Sequence, residues 1–213
     1  KTTEILIFLM GAMAIVEMID YFDGFSSVQS LIKVKTAYQL LLVVSILAFI
    51  LSAIIDNLTA TIVLISILRK MVPDKDLRMW MAGFVIIAAN AGGAWSPIGD
   101  VTTTMLWIAA KVSALKLVEH IFLPAVVTLL IPLLIAKKIK IFKQELPPSL
   151  AIEKNKVSSI ILLSGLGLII FVPIFKTITH LPPYMGMMFS LAIFAIIGEI
   201  ASKRSLNLSS LSE

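Results

Sequence analysis

The apolar run from residue 38 to residue 71 limits how this chain folds more than any other feature. At about 1.5 Å per residue, one helix over this run would be about 51 Å long, whereas a bilayer core is about 30 Å thick. The main polar interruption is Asp56-Asn57, a pair that favours turns and helix N-caps. We therefore predict a helical hairpin over 38–71 with its tip at this pair, a re-entrant form being one version of it. A single crossing by the same residues is the alternative.

A second apolar stretch, residues 79–111, is also too long for one straight crossing, at about 50 Å. It contains NAGGAWSPIGDVTTT (90–104), the most polar and most helix-breaking segment of the chain. We predict two half-helices, 79–90 and 100–111, around an unwound middle that includes the flexible Gly92-Gly93 pair. Unwound backbone at membrane depth must be buried in protein or line a cavity, because lipid offers no hydrogen bonds.

The composition places the chain in a lipid bilayer. Its mean hydropathy is +1.01 and only 15% of its residues are charged, against roughly a quarter in soluble domains. There is no cysteine, which excludes disulfides and thiolate metal sites. The expected fold class is therefore an all-α polytopic membrane protein. Further spans are predicted over 4–22, 115–136, 157–176 and 184–201, with an extramembrane linker over 137–156.

The net charge of +5 fits a membrane protein better than a nucleic-acid-binding protein. Membrane proteins gather Lys and Arg in cytoplasmic loops, and this chain has no basic stripe with interleaved aromatic residues, so we expect no nucleic-acid partner. If 38–71 is a hairpin, the loops on one side hold 14 basic residues and the other ends hold four. If it crosses once, the split is 13 to five. Both models put 69–79 and 137–156 in the cytoplasm.

The hairpin tip and the unwound segment share a local pattern, an aspartate followed three residues later by a threonine. The two copies are Asp56 with Thr59 and Asp100 with Thr103. The structural interpretation is helix N-capping, worth about 1 kcal/mol. However, a carboxylate near the bilayer midplane costs at least about 2.5 kcal/mol, so ionisable residues there are functional by default. We therefore interpret both aspartates as candidate site residues.

The unwound segment predicts an ion site of a particular kind. In transporters such breaks aim the carbonyls of one half-helix at a cation and the N–H groups of the other at an anion. Carbonyl, amide, hydroxyl and carboxylate oxygens together suit a hard cation. Because Asp100 can also be protonated, one site would hold Na⁺ or H⁺ but not both, which is the simplest mechanism for cation/proton exchange.

Four motifs carry a family resemblance. LSAIIDNLTATIVLISILRK (51–70) and IIAANAGGAWSPIGDVTTTMLW (86–107) resemble signatures of the NhaD-type sodium/proton antiporters, in the ion-transporter superfamily that includes arsenite and dicarboxylate carriers. GAMAIVEMID (11–20) and LPPYMGM (181–187) are also similar to that family. The resemblance implies an inverted-repeat fold, exchange of Na⁺ or Li⁺ for H⁺, and a Na⁺ site in the region of Asp56 and Asp100. The implied site residues are Asp56, Asn57, Thr59, Thr61, Asn90, Ser96, Asp100 and Thr103.

The sequence departs from the family pattern because it holds one hairpin and one broken helix. We expect a first transport repeat over 4–136 and, after the 137–156 linker, two spans over 157–201 that begin a second half. The missing second repeat is expected in the same polypeptide or in a partner chain, and a homodimer is a further option. The expected location is a bacterial inner membrane, with an organelle envelope as the alternative.

Glu17 and Asp20 lie on one face of the first predicted helix, three residues apart. They are interpreted either as interfacial carboxylates or as part of an aqueous ion path. Two other functions are alternatives for the whole chain, an anion carrier for arsenite or dicarboxylates and a non-transporting scaffold. Two carboxylates at the breaks disfavour an anion, and a scaffold needs no broken helices. No constellation suggests an enzyme, and no cofactor is expected beyond the transported ions.

Overall fold

The chain is almost entirely helical. The structure, a computed structural model, describes residues 2–30, 32, 34–146 and 156–209, and within these ranges there is no named strand. The helices are α1 (Thr2–Tyr21), α2 (Ser26–Ser30), α3 (Ala37–Ile55), α4 (Asn57–Met71), α5 (Lys75–Ala94), α6 (Val101–Ile108), α7 (Ala114–Ala136), α8 (Lys156–Thr179) and α9 (Pro183–Ser209), with a 3-10 helix at Lys140–Lys143. Residues 147–155 of the predicted 137–156 linker lie outside the described residues.

Five of the described helices are long and apolar enough to cross a membrane, namely α3, α5, α7, α8 and α9. They confirm the predicted all-α polytopic membrane fold. Helix α1 has 20 residues, about 30 Å, and carries three acidic residues, Glu4, Glu17 and Asp20. Helix α4, at 15 residues, is about 22 Å long and too short for a full crossing.

The chain divides into two compact units, residues 1–28 with 153–213 and residues 29–152. In the first unit, α1, α8 and α9 pack against one another in all three pairs. Ile19, Ile161 and Phe194 have no measurable exposure and form the centre of this packing. The Ser190 hydroxyl donates to the carbonyl of Leu168 at 3.0 Å, which joins α9 to α8.

In the second unit, α3 and α4 pack on each other and on α5, and α7 packs on both α3 and α5. Helix α3 begins with a capping box, in which Thr36 and Gln39 each bond the other's backbone N–H. This arrangement satisfies two of the N–H groups that a helix start leaves unpaired. A large share of α3 is buried, so this helix forms the centre of the second unit.

The hairpin breaks where the sequence predicted. Asp56 is the one non-helical residue between α3 and α4, and Asn57 is already the first residue of α4. Asp56 has φ 89° and ψ 154°, backbone angles that residues with a Cβ adopt at a cost of about 1–3 kcal/mol. With Asp56 in this conformation, α4 begins immediately after α3 ends.

The predicted bounds of the broken helix, 79–90 and 100–111, are wrong. Helix α5 runs from Lys75 to Ala94, the non-helical segment is 95–100, and α6 is only eight residues long. Asn90, Gly92 and Gly93 therefore lie within α5 and not in unwound backbone. Helix α5 alone, with 20 residues, is long enough to span a bilayer.

Gly92 provides space for close packing and does not give flexibility. Its φ is negative, and a Cβ at this position would collide with the backbone of Phe49 on α3. A Cβ on Gly99 would lie 2.5 Å from the carbonyl oxygen of Ser52. Helix α3 therefore approaches both α5 and the 95–100 segment at backbone distance, and the glycines are required by that approach.

This packing predicts opposite results for two glycines on α5. Gly92→Ala is expected to lower the free energy of unfolding by about 1–3 kcal/mol, because α3 must move to admit the methyl group. Gly83→Ala, with no atom within 4 Å of the added Cβ, is expected to be neutral or to stabilise the helix by up to about 1 kcal/mol. Thermal unfolding of the purified protein in detergent measures both. Equal stability of the two variants would contradict the proposed close approach.

Candidate functional site

The hairpin tip is organised by Asp56. Its carboxylate caps α4, accepting from the backbone N–H of Thr59 at 2.9 Å and from the Thr59 hydroxyl at 2.7 Å. Two residues after Thr59, the Thr61 hydroxyl donates to the carbonyl of Asn57 at 2.7 Å. Both carboxylate oxygens of Asp56 are therefore engaged by the first turn of its own helix. In this arrangement Asp56 shapes the tip and presents the next residue, Asn57.

The unwound segment ends at Asp100, which caps α6. One carboxylate oxygen, Oδ1, accepts from the backbone N–H of Thr102 at 2.8 Å and from the Thr102 hydroxyl. Thr103 does not bond the carboxylate, because its hydroxyl donates to the carbonyls of Ser96 and Asp100, both at 2.9 Å. The two Asp-x-x-Thr copies are thus alike in sequence and different in contact: Thr59 binds its aspartate side chain, whereas Thr103 closes the loop.

Asn57 joins the two breaks. Its Nδ2 donates to Asp100 Oδ2 at 2.8 Å and to Asn90 Oδ1 at 3.1 Å. Asn90 is held in turn, because its own Nδ2 donates to the carbonyl of Ile86 at 2.8 Å and its oxygen is left facing Asn57. A carboxylate oxygen and an amide oxygen from different helices therefore converge on one point, which the NH₂ group of Asn57 occupies. We name these three residues the Asn-Asn-Asp cluster.

The Asn-Asn-Asp cluster is open on one side. Asn90 is exposed, and Asn57 and Asp100 are half-buried. A polar group facing hydrocarbon has no water to bond with, and a charge there costs at least about 2.5 kcal/mol. In a membrane this side must therefore face further protein or a water-filled cavity.

Sequence reasoning missed two residues that shape the site. Ser52, fully buried on α3, donates its hydroxyl to the carbonyl of Ala89 and so ties the hairpin to α5 one residue before Asn90. Thr102 supplies both donors to Asp100 Oδ1. A serine four residues before Asp56 in an apolar helix was the available signal for Ser52. Nothing in the sequence indicated that Asp100 bonds the second residue of its helix and not the third.

Trp95 follows α5 and packs in an aromatic group. Its ring stacks on Phe49 with centroids 6.1 Å apart and meets Phe122 edge-on at 5.1 Å. An open groove of about 540 Å³ lies between α5 and α7. The groove is mostly apolar, and Asn90 and Thr128 supply its polar lining groups. Asn90 thus faces the groove and also belongs to the cluster.

Glu17 and Asp20 lie on α1, in the other compact unit, and both side chains are exposed. Their role in an ion path stays a prediction. Within the described ranges, no three His, Cys, Asp or Glu side chains gather as a metal-binding group. The oxygens available at the Asn-Asn-Asp cluster are therefore those of one carboxylate and two amides, a weaker donor set than a Ca²⁺ or Zn²⁺ site.

Comparison with known proteins gives consistent matches over most of the chain. A family model described as CitMHS, citrate transporter, matches residues 2–206. The chain is similar to sodium/proton antiporter 1 of Arabidopsis thaliana, with 45% identity over 92% of this chain and 35% of the relative. It is also similar to sodium/proton antiporter 2 of the same plant, at 39% over 94% and 49%. A third relative is the Na⁺/H⁺ antiporter NhaD of Vibrio cholerae, at 31% over 94% and 42%.

The chain spans between about a third and a half of the length of these curated relatives. No solved structure matches it.

The Asn-Asn-Asp cluster predicts a pH-dependent difference between two variants of Asn57. Asn57→Ala and Asn57→Asp both remove the NH₂ donor, but only the second places a carboxylate against Asp100 Oδ2. Two adjacent carboxylates repel when both are ionised and share a proton readily at low pH. At pH 8, Asn57→Asp is expected to be about 1–3 kcal/mol less stable than Asn57→Ala, because only Asn57→Asp sets two ionised carboxylates side by side at a half-buried site. The difference should shrink at pH 5.

Thermal unfolding at the two pH values, with the unaltered protein as reference, gives this comparison. A gap between the two variants that is the same at both pH values would contradict the close approach of residue 57 to Asp100.

Proposed function

The chain belongs to the CitMHS citrate transporter family, and we propose that it forms half of the ion site in a membrane transporter. This transporter exchanges Na⁺, or Li⁺, for H⁺. Its apolar helices support an integral membrane protein, and its family supports a transporter rather than an enzyme. Its relatives named sodium/proton antiporters support the exchange reaction. The residues proposed to carry it are those of the Asn-Asn-Asp cluster.

One observation carries the cation proposal, the convergence of Asp100 Oδ2 and Asn90 Oδ1 on the NH₂ group of Asn57. An amide NH₂ group bears partial positive charge, so a point that attracts it from two oxygens also attracts a cation. If the Asn57 side chain turns over, its own carbonyl oxygen replaces the NH₂ group and a third oxygen faces the same point. Three oxygens with one negative charge suit a hard monovalent cation.

In this proposal the proton binds to the same carboxylate, that of Asp100. When Asp100 is protonated it loses its charge and gains a donor, so it no longer attracts a cation. When the cation is bound, the ionised carboxylate is stabilised and the proton leaves. Because the site holds either ion but not both, one ion can bind only after the other has left. This competition is enough to couple their movements in opposite directions.

A citrate or other oxyanion substrate is the second candidate, because the family description names citrate. Helix N-termini are the usual anion sites in such folds. Here the starts of α4 and α6 are already capped by the carboxylates of Asp56 and Asp100. One N–H group at each helix start, of Thr59 and of Thr102, is therefore already engaged within the chain, and the ionised caps would repel an incoming anion.

We also propose that a second repeat completes the site. The relatives are at least about twice as long as this chain, and the Asn-Asn-Asp cluster is open on one side. A second hairpin and broken helix, from the same polypeptide or a partner chain, would cover the exposed Asn90 and add ligands. This arrangement follows the inverted-repeat design of many secondary transporters.

The proposal predicts that charge at Asp100, and not its capping role, is needed for exchange. Asparagine caps helices as well as aspartate does, so Asp100→Asn keeps the cap and removes the charge. Sodium-induced proton release from inverted membrane vesicles is expected to fall to the background level, with the protein still inserted. Asp74→Asn is the matched control, because Asp74 caps α5 through the Leu77 N–H at 2.8 Å and lies outside the cluster.

Asp74→Asn should retain exchange within about twofold, since a cap substitution of this kind changes stability by only a few tenths to about 1 kcal/mol. Exchange that survives in Asp100→Asn would overturn the proposed site. Citrate uptake by the same vesicles, lost in Asp100→Asn, would favour the oxyanion substrate instead.

Competition between the two ions gives a second prediction. In the acidic range, each unit by which the pH is lowered is expected to raise the half-saturating Na⁺ concentration by up to about tenfold, because one proton must leave for one cation to bind. Initial exchange rates at several pH values measure this dependence. A half-saturating Na⁺ concentration that is constant across the acidic range would indicate separate sites for Na⁺ and H⁺.

A further inference from the structure

A short basic segment follows α7. Residues 137–143, KKIKIFK, contain four lysines and no acidic residue. The ammonium-bearing side chains of Lys137, Lys138, Lys140 and Lys143 are all exposed. Within the described part of the chain, none of the four forms an ion pair. This segment therefore carries four uncompensated positive charges within seven residues, immediately beyond the end of a membrane-spanning helix.

The basic segment is fixed in place and is not a loose tail. Phe142, 1% exposed, meets the rings of Trp80 and Phe84 edge-on, with centroids 6.4 Å and 5.6 Å apart. The backbone just beyond it bonds to the entry of α3, where Ala37 N donates to the Gln144 carbonyl at 3.0 Å. Four charges held in one geometry lose less conformational entropy on binding than charges on a disordered chain.

Trp80 indicates the depth of the basic segment. It is 49% exposed near the start of α5, two residues after Arg78. Exposed tryptophans at the ends of spans sit at the headgroup level, where the ring is partly in hydrocarbon and the N–H is wet. Because Trp80 contacts Phe142, the lysines on either side of Phe142 lie at the level of the lipid phosphates.

The nearby acidic residues do not neutralise the basic segment. Asp74 is used as the cap of α5, with its carboxylate on the Leu77 N–H. Glu145, two residues after Lys143, is exposed, and within the described residues its carboxylate forms no ion pair with these lysines. Asp76 lies in the first turn of α5, where a carboxylate is favoured by the positive end of the helix.

From these observations we propose that the basic segment, residues 137–143, binds the phosphodiester headgroups of acidic phospholipids such as phosphatidylglycerol. Four exposed lysines on a backbone fixed at phosphate depth match a row of anionic headgroups in charge and in height. An acidic peptide would meet the same charges, but the aromatic contact holds the segment at the membrane surface, where lipid is always present. Each surface lysine near an acidic leaflet contributes about a fivefold preference.

The test uses the fluorescence of Trp80, which lies against the segment. The protein that carries this chain is prepared with Trp80 as its sole tryptophan and reconstituted with brominated phosphatidylglycerol or brominated phosphatidylcholine. We expect phosphatidylglycerol to be preferred at least about fivefold near Trp80. In Lys138→Gln/Lys140→Gln that preference should fall at least about fivefold.

Lys111→Gln/Lys116→Gln is the matched control. It removes the same number of exposed lysines from the other end of α7, about 34 Å away, and should change the preference by less than about twofold. In the protein with all its lysines, about 1 M salt should bring the preference near unity, because the screening length falls to about 3 Å. This salt measurement keeps the test valid if the lysine variant does not fold. Equal quenching by both lipids before any substitution, or equal losses in both lysine variants, would overturn the proposal.

Discussion

The second unit depends on one hydrogen-bonding group, the NH₂ of Asn57 held between Asp100 and Asn90. It joins the hairpin tip to α5 and to the start of α6, at residues 33 and 43 positions further along the chain. The supporting contacts all serve this meeting point. Asp56 caps α4 and so places Asn57, Thr102 fixes the other oxygen of Asp100, and Ser52 anchors α3 beside Asn90.

The close approach of backbones makes this meeting possible. Small residues at the contact, Gly92 and Gly99, let α3 lie against α5 and the 95–100 segment without intervening side chains. Membrane helices pack in this way because lipid provides no hydrophobic drive for association and van der Waals contact must replace it. The same close approach explains why a short side chain, the Ser52 hydroxyl, makes the link to the Ala89 carbonyl.

The sequence predicted the hairpin break at Asp56, because run length and bilayer thickness together required a turn and Asp-Asn supplied one. It did not predict the bounds of the broken helix. Glycines suggested flexibility at Gly92-Gly93, but tertiary packing overrode their low helix propensity and kept them in α5. Of the eight implied site residues, three are joined directly by hydrogen bonds between helices: Asn57, Asn90 and Asp100. The other five make contacts close to them in the sequence. Those long-range bonds depend on side-chain direction across helices, which one-dimensional spacing does not encode.

The single-residue link at Asp56 has a mechanical consequence. A loop of several residues can absorb movement by changing its own dihedral angles, whereas one residue with a carboxylate already bonded to the next turn has almost no slack. Displacement of the tip must therefore be carried by α3 and α4 as stiff bodies. A displacement of a few tenths of an ångström at the tip would therefore reappear at the far ends of both helices.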